Sequence, residues 1–273
     1  MQELRVDDKL LIAIDVGNSR IKLGLFKRDH IPTAEHPLPD CLRSMAIEVD
    51  EEVPWDELAQ WGNHHPTAKA AVILGGVNPR GRDKIVDGWP ATGWPHPVVI
   101  DSPFMLPLDI RIDSPRTVGM DRLLNAVAGN VIRPKNKAMI IVDSGTATTV
   151  DLVAADGAFE GGAILPGLQL GSRALHQYTA LLPRILNEEL TGTPAEPIGK
   201  NTRDAIRSGL FWGQLGGVKE LLRHMREQLG DDPVTVVTGG AGRLLAPQIS
   251  GVLFEPYLAL QGLVIVAQGL HKN

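Results

Sequence analysis

An apolar run that ends in Asp-x-Gly, followed by small hydroxyl or amide residues and a second run, occurs twice in this 273-residue chain. The first copy is Leu10 to Ile14, then Asp15-Val16-Gly17-Asn18-Ser19-Arg20, then Ile21-Lys22-Leu23-Gly24-Leu25-Phe26. The second is Met139 to Val142, then Asp143-Ser144-Gly145-Thr146-Ala147-Thr148-Thr149, then Val150 to Val153. Short apolar runs bounded by Gly and small polar residues predict β-hairpins. The two aspartates stand 128 positions apart (143 − 15), close to half the chain and beyond any solenoid period. That spacing predicts a duplicated lobe, with residues 1–133 forming an N-terminal half and 134–273 a C-terminal half.

Helical patterns alternate with these strands. Leu123, Leu124, Val127 and Val131 share one face of a helix that starts at Asp121-Arg122, ends before Pro134 and would link the halves. Further helices are expected from about Leu168 to Leu181, from Thr202 to about Leu229, from Ala241 and from Gln261 to Leu270. Strands are expected at Ala70 to Leu74, at Val234 to Thr238 before Gly239-Gly240, and around Val252 to Phe254, while Gly88 to Pro97 reads as a turn-rich surface loop. Strands and helices mixed in two similar halves predict the α/β class.

Composition removes several function classes. Gly (29) and Pro (20) together fall short of a low-complexity or collagen-like chain, and 43% hydrophobic residues is a folding composition. A net charge of -5 with no basic run gives no nucleic-acid footprint. Cys41, the one cysteine, can form no internal disulfide and has no neighbours at metal-ligand spacing. The N-terminus lacks a signal-peptide core, and no apolar run approaches the ~18 residues of a membrane span. A soluble cytoplasmic protein is expected. His64-His65 and the other histidines are scattered, which favours exposed or core positions over a metal site, and the five Trp read as packing residues.

An Asp at a strand end, followed by Gly and hydroxyl residues, suits polyphosphate binding: backbone N–H groups and hydroxyls surround phosphate oxygens, and the carboxylate can face a hydrated Mg2+. Asp-x-Gly also makes an ordinary turn, but two copies on matching strands favour the phosphate reading. Thr238-Gly239-Gly240 could admit a base or ribose close to the backbone, or simply start a helix. Asp121 could take a proton from a substrate hydroxyl while Arg122 binds an anion. Equally, it could be a helix N-terminal Asp favoured by the dipole. No P-loop, nucleophile elbow or His-Glu-x-x-His is present.

Taken in order, these motifs resemble the type III pantothenate kinase family of the acetate and sugar kinase/Hsc70/actin superfamily. Asp15 to Arg20 resembles its first phosphate motif, Gly119-Met120-Asp121-Arg122 its Gly-x-Asp-Arg, and Asp143 to Thr149 its second phosphate motif. Gly161 to Gly167, Gly199-Lys200-Asn201-Thr202, Thr238-Gly239-Gly240 and Pro256 to Leu263 also match in order. The resemblance implies two ribonuclease H-like lobes of the actin-like ATPase fold with the active site in the cleft between them. It implies ATP-dependent phosphorylation of pantothenate to 4′-phosphopantothenate, the first step of coenzyme A biosynthesis. Asp121 would be the general base. Gly119, Met120, Arg122 and Thr202 would bind pantothenate, with Arg122 toward its carboxylate. Asp15, Val16, Gly17, Asn18, Ser19, Arg20, Ile21, Lys22 and Thr146 would bind ATP. Asp15 would orient Mg2+ through water, and Asp143 would hold a monovalent cation, K+ or NH4+. A homodimer that completes the pocket across its interface is implied, without nucleic-acid or membrane partners. The pattern departs at Ile112, where the family often carries Tyr, and at Gly75-Gly76-Val77, where it usually has Ser-Ser-Val. A related phosphotransferase or phosphohydrolase on another small substrate, and a non-catalytic regulatory relative, are the alternative classes.

Overall fold

The computed structural model describes residues 10–61, 71–90 and 95–270. They fall into two units, Met1–Ile132 with Tyr257–Asn273, and Arg133–Pro256. In chain order the first unit contains β1 (Leu10–Val16), β2 (Arg20–Lys27), β3 (Cys41–Glu48), α1 (Trp55–Gln60), β4 (Ala71–Gly76), α2 (Pro79–Asp87), β5 (Val98–Val99) and α3 (Met120–Ile132). The second contains β6 (Met139–Ser144), β7 (Ala147–Val153), β8 (Phe159–Pro166), α4 (Leu168–Gln177), α5 (Asn187–Thr191), α6 (Thr202–Leu229), β9 (Val234–Thr238), α7 (Gly242–Leu245) and β10 (Val252–Phe254). The last helix, α8 (Leu258–Leu270), belongs to the first unit.

Each unit is built on a five-stranded sheet, in the orders β3-β2-β1-β4-β5 and β8-β7-β6-β9-β10. In both, the first three strands are antiparallel and the last two join in parallel. The duplicated lobe expected from the two Asp-x-Gly hairpins is therefore present strand for strand. β1 is buried along its whole length because it is central in its sheet and covered on both faces, which is why it reads as an unbroken apolar run. One face carries Ile12, Ile14 and Val16 into a core with Ile21, Leu74, Ile85 and Trp89. In the second unit Ile140, Val142 and Val150 pack with Phe211, Leu215 and Val218 of α6.

The two units divide between Ile132 and Arg133, and α8 groups with the first of them. α8 is apolar around most of its circumference, so it needs cover on several sides. It packs on α3 and β1, and a Cβ at Gly262 would lie 2.2 Å from the Leu124 carbonyl oxygen, a helix crossing that only glycine allows. The helix from Leu168 also stops at Gln177 rather than 181, after which the Ser172 hydroxyl bonds both the N–H and the C=O of Ile185 and holds the returning chain. α6 spans the expected residues, with Asn201 accepting from the Asp204 N–H at its start and Gly230 left-handed (φ 64°) at its end. Within the expected surface loop, Trp89 is buried and meets Trp55 edge-to-face at 5.4 Å. Ala70, His64, His65 and Trp94 lie outside the described residues, among which no helix is long and apolar enough to cross a membrane.

Cys41, at the start of β3, donates from Sγ to the Arg43 carbonyl, and burial pushes its thiol up to about 12. Alkylation depends on the thiolate. At pH 8 the native chain should therefore react with iodoacetamide at least about 100-fold more slowly than the unfolded chain. Equal rates in buffer and in denaturant would contradict the burial.

Candidate functional site

In the first unit the β1–β2 turn is closed by the Gly17 N–H donating to the Arg20 carbonyl at 2.9 Å, and a Cβ on Gly17 would sit 3.0 Å from that oxygen. Asp15 is 3% exposed and pairs across the hairpin with Lys22, whose Nζ lies 3.7 Å from Oδ2. Asn18 and Arg20 are exposed, Ile21 is buried, and Arg20 Nε donates to Glu48 Oε1 at 2.8 Å. On the other side of β1, Gly75 lies opposite Asp15 and Gly76 opposite Val16.

The chain then carries the first hairpin to the Gly-x-Asp-Arg motif. Val77 donates its N–H to the Val16 carbonyl at 2.9 Å, and its Cγ1 would lie 3.2 Å from a Cβ placed on Gly119. Met120 and Leu124 of α3 pack beneath Gly75. Gly119 also leaves room for Asp121: a Cβ there would be 2.5 Å from Asp121 Oδ1. That oxygen accepts the Arg122 N–H at 2.8 Å, so the carboxylate is folded against the positive end of its own helix. Both readings of Asp121 are thus compatible, since the helix start fixes the carboxylate that would act as base. Asp15, Lys22, Asp121 and Arg122 are gathered at one end of one sheet.

The second unit repeats the arrangement with different chemistry. The Gly145 N–H donates to Ala147 O at 3.0 Å, and the Gly167 N–H to Thr146 O at 3.1 Å. A Cβ on Gly167 would fall 2.4 Å from the Gly145 carbonyl oxygen. Gly239, with φ +87°, packs so that a Cβ would come 2.4 Å from Asp143 Oδ1. The turns 143–147, 166–167 and 238–241 therefore meet, and the glycines are what let them. Across the sheet Asp143 stands between Thr149 and Thr238, where Asp15 stands between Lys22 and Gly75. One aspartate has an ammonium beside it and the other sits in a row of hydroxyls, a hard oxygen set suited to a group I or II cation.

Thr202 is the exposed first residue of α6, about 18 Å along that helix from Gln214, which reaches the second hairpin through Thr148. Ile112 is half-buried just before the 3-10 turn Pro115–Thr117. Thr149, Thr238 and Gly167 lie in motifs that the sequence singled out, but their placement around Asp143 and its turn follows only from the strand pairing and the packing of the turns.

Two α/β units of matching strand order, each with an aspartate one residue before the end of its central strand, give the actin-like ATPase class of fold. Among solved structures, a protein described as a Baf family transcriptional activator from Campylobacter jejuni is similar over 97% of this chain and 100% of its own, at TM-score 0.57 and 17% identity. The activator of 2-hydroxyisocaproyl-CoA dehydratase from Clostridium difficile, with bound ADPNP, matches 96% of each chain at TM-score 0.52 and 11% identity. The family model for type III pantothenate kinase matches residues 11–224. The chain is 35% identical over 260 residues to the type III pantothenate kinase of Dehalococcoides mccartyi, covering 94% of this chain and 97% of that one. It is 29% identical over 265 residues to that of Listeria innocua, covering 94% and 96%. The chain belongs to the type III pantothenate kinase family.

Proposed function

We infer that this chain transfers the γ-phosphoryl group of ATP to the primary alcohol of pantothenate, giving 4′-phosphopantothenate and ADP at the entry to coenzyme A biosynthesis. The observation that carries the reading is Asp121, held at the start of α3 by the Arg122 N–H and brought through Val77 to the hairpin of Asp15. Asp121 takes the hydroxyl proton as the alcohol oxygen bonds to the γ-phosphorus and the bond to the β-phosphate oxygen breaks. Arg122 receives the substrate carboxylate, with Gly119 and Met120 framing it. In the first unit the backbone from Asp15 to Ile21 and the Lys22 side chain are the proposed phosphate contacts, and in the second unit Thr146 is the proposed ATP contact.

Asp15 fits a Mg2+ held through water, since a single carboxylate beside substrate phosphates is how this ion is commonly bound; when present it neutralises charge on the transferring group. Asp143 fits a monovalent cation, K+ or NH4+: the row Thr149–Asp143–Thr238 has oxygen where the first unit carries the Lys22 ammonium. Replacing K+ by Na+, or Asp143 by Asn in K+, should lower turnover at least about tenfold. Equal rates in both salts would remove the cation from this reading.

A homodimer that completes the pantothenate pocket with Thr202 is part of the proposal. Its support is that Thr202 is exposed within a unit that also exposes Tyr178 (80%), Leu181 (92%) and Ile198 (72%). A reducing cytoplasmic setting agrees with the one unpaired cysteine.

A further inference from the structure

A helix packed on a sheet presents apolar residues at spacings of three and four, and α6 does so with Phe211, Leu215, Val218 and Leu222. Gln214 interrupts that stripe with an amide that is only 7% exposed. A leucine there would fill a similar volume without desolvating a polar group. One end of the amide is engaged: Nε2 donates to Thr148 Oγ1, which is itself fully buried. The other end, Oε1, is buried and accepts no hydrogen bond among the described residues, so the site is not a fully satisfied core network.

The contact leads somewhere. Thr148 Oγ1 lies 3.3 Å from Ser144 Oγ, also fully buried, and because Thr148 receives the amide proton its own hydroxyl proton is available to Ser144. Ser144 and Thr148 stand opposite each other at the end of the β6–β7 ladder and close the turn Gly145-Thr146-Ala147. The Ser144 carbonyl in turn accepts the Ala241 N–H at 3.0 Å, so the same residue ties down the Gly239-Gly240 turn. Strand alternation puts Ser144 and Thr148 on the face toward α6, and Asp143 and Thr149 on the opposite face.

We propose that Gln214 is a positioning residue for the nucleotide. Through Thr148 and Ser144 it fixes, from the buried side, the turn that carries Asp143 and Thr146, while touching no ligand itself. The inference rests on the reading that this turn contacts ATP. Mispositioning of a binding group by about an ångström can cost up to 10²-fold.

The test uses Gln214→Leu and the double variant Gln214→Leu/Thr148→Val, with a non-hydrolysable ATP analogue titrated by calorimetry and thermal unfolding measured alongside. Gln214→Leu should weaken the analogue and raise KM for ATP by about tenfold, with a smaller change in kcat. The double variant removes both ends of the Gln214–Thr148 bond but leaves the buried Ser144 hydroxyl without Thr148, so its unfolding midpoint should stay at or below that of Gln214→Leu, while its nucleotide affinity stays weakened. Unchanged affinity in Gln214→Leu, or an affinity that recovers together with stability in the double variant, would reduce Gln214 to a core residue and overturn the proposal. Failure of the kinase reading has a different signature: wild-type protein that binds the analogue but shows no pantothenate-dependent turnover.

Discussion

Asp121→Asn should lower turnover by about 10²–10⁴-fold while leaving nucleotide binding and folding intact. The substitution is close to isosteric, and an Asn side-chain oxygen still accepts the Arg122 N–H that Asp121 Oδ1 holds at 2.8 Å. Asn also remains a good residue at a helix start. What is lost is the charge on which the proposed role of general base depends. The measurement is kcat with saturating ATP and pantothenate, beside thermal unfolding and analogue binding. A variant with full turnover would remove Asp121 from the chemistry, and one with a collapsed unfolding midpoint would return it to the role of helix start.

The second large effect is structural. Gly76 has φ +144°, and a Cβ there would lie 2.3 Å from the Val16 carbonyl oxygen and 2.6 Å from its nitrogen. These are backbone atoms of the strand end that carries Asp15, so no side-chain rotation relieves the overlap. Gly76→Ala must either part β4 from β1 or push Val16 aside, at a cost of about 2–4 kcal/mol. ATP turnover should fall with it, because Val16 is bonded in sequence to Asp15 and through its carbonyl to Val77. Gly209→Ala in α6 is the matched control: a Cβ there meets nothing within 4 Å, and the helix should gain about 0.5–1 kcal/mol. Thermal unfolding of the two variants should move in opposite directions. A neutral Gly76→Ala would contradict the close approach of β1 and β4.

Both hairpins were legible in the sequence because β1 and β6 open as continuous apolar runs, the signature of strands covered on both faces, and each run ends in an Asp-x-Gly turn. β3 was not, because Cys41–Glu48 is an edge strand whose residues are half-buried or exposed and mixed in polarity. Leu181 extended the apolar pattern after Leu168, yet it is 92% exposed; hydrophobicity marks what can be buried, not what is. The C-terminal helix, expected from Gln261, begins at Leu258, and chain order alone does not show that its Gly262 fits against Leu124.

The site divides in the same way. Asp15, Asp121 and Asp143 stood out through their motifs, and the structure gathers the first two at one sheet end. Partners set by register, such as Lys22 beside Asp15 or Thr149 and Thr238 beside Asp143, follow only once the strands are paired. Gln214 gave no signal at all, because one amide in a 28-residue helix of mixed faces reads as another surface position.

The most direct measurement of the central claim is the product itself: purified chain with ATP, Mg2+, K+ and pantothenate, assayed together for ADP and by mass spectrometry for 4′-phosphopantothenate, with Asp121→Asn in parallel. The account predicts ADP and 4′-phosphopantothenate in equal amounts from the wild type and near-background levels of both from the variant. ATP binding without phosphorylated product, or product formed equally by Asp121→Asn, would contradict it.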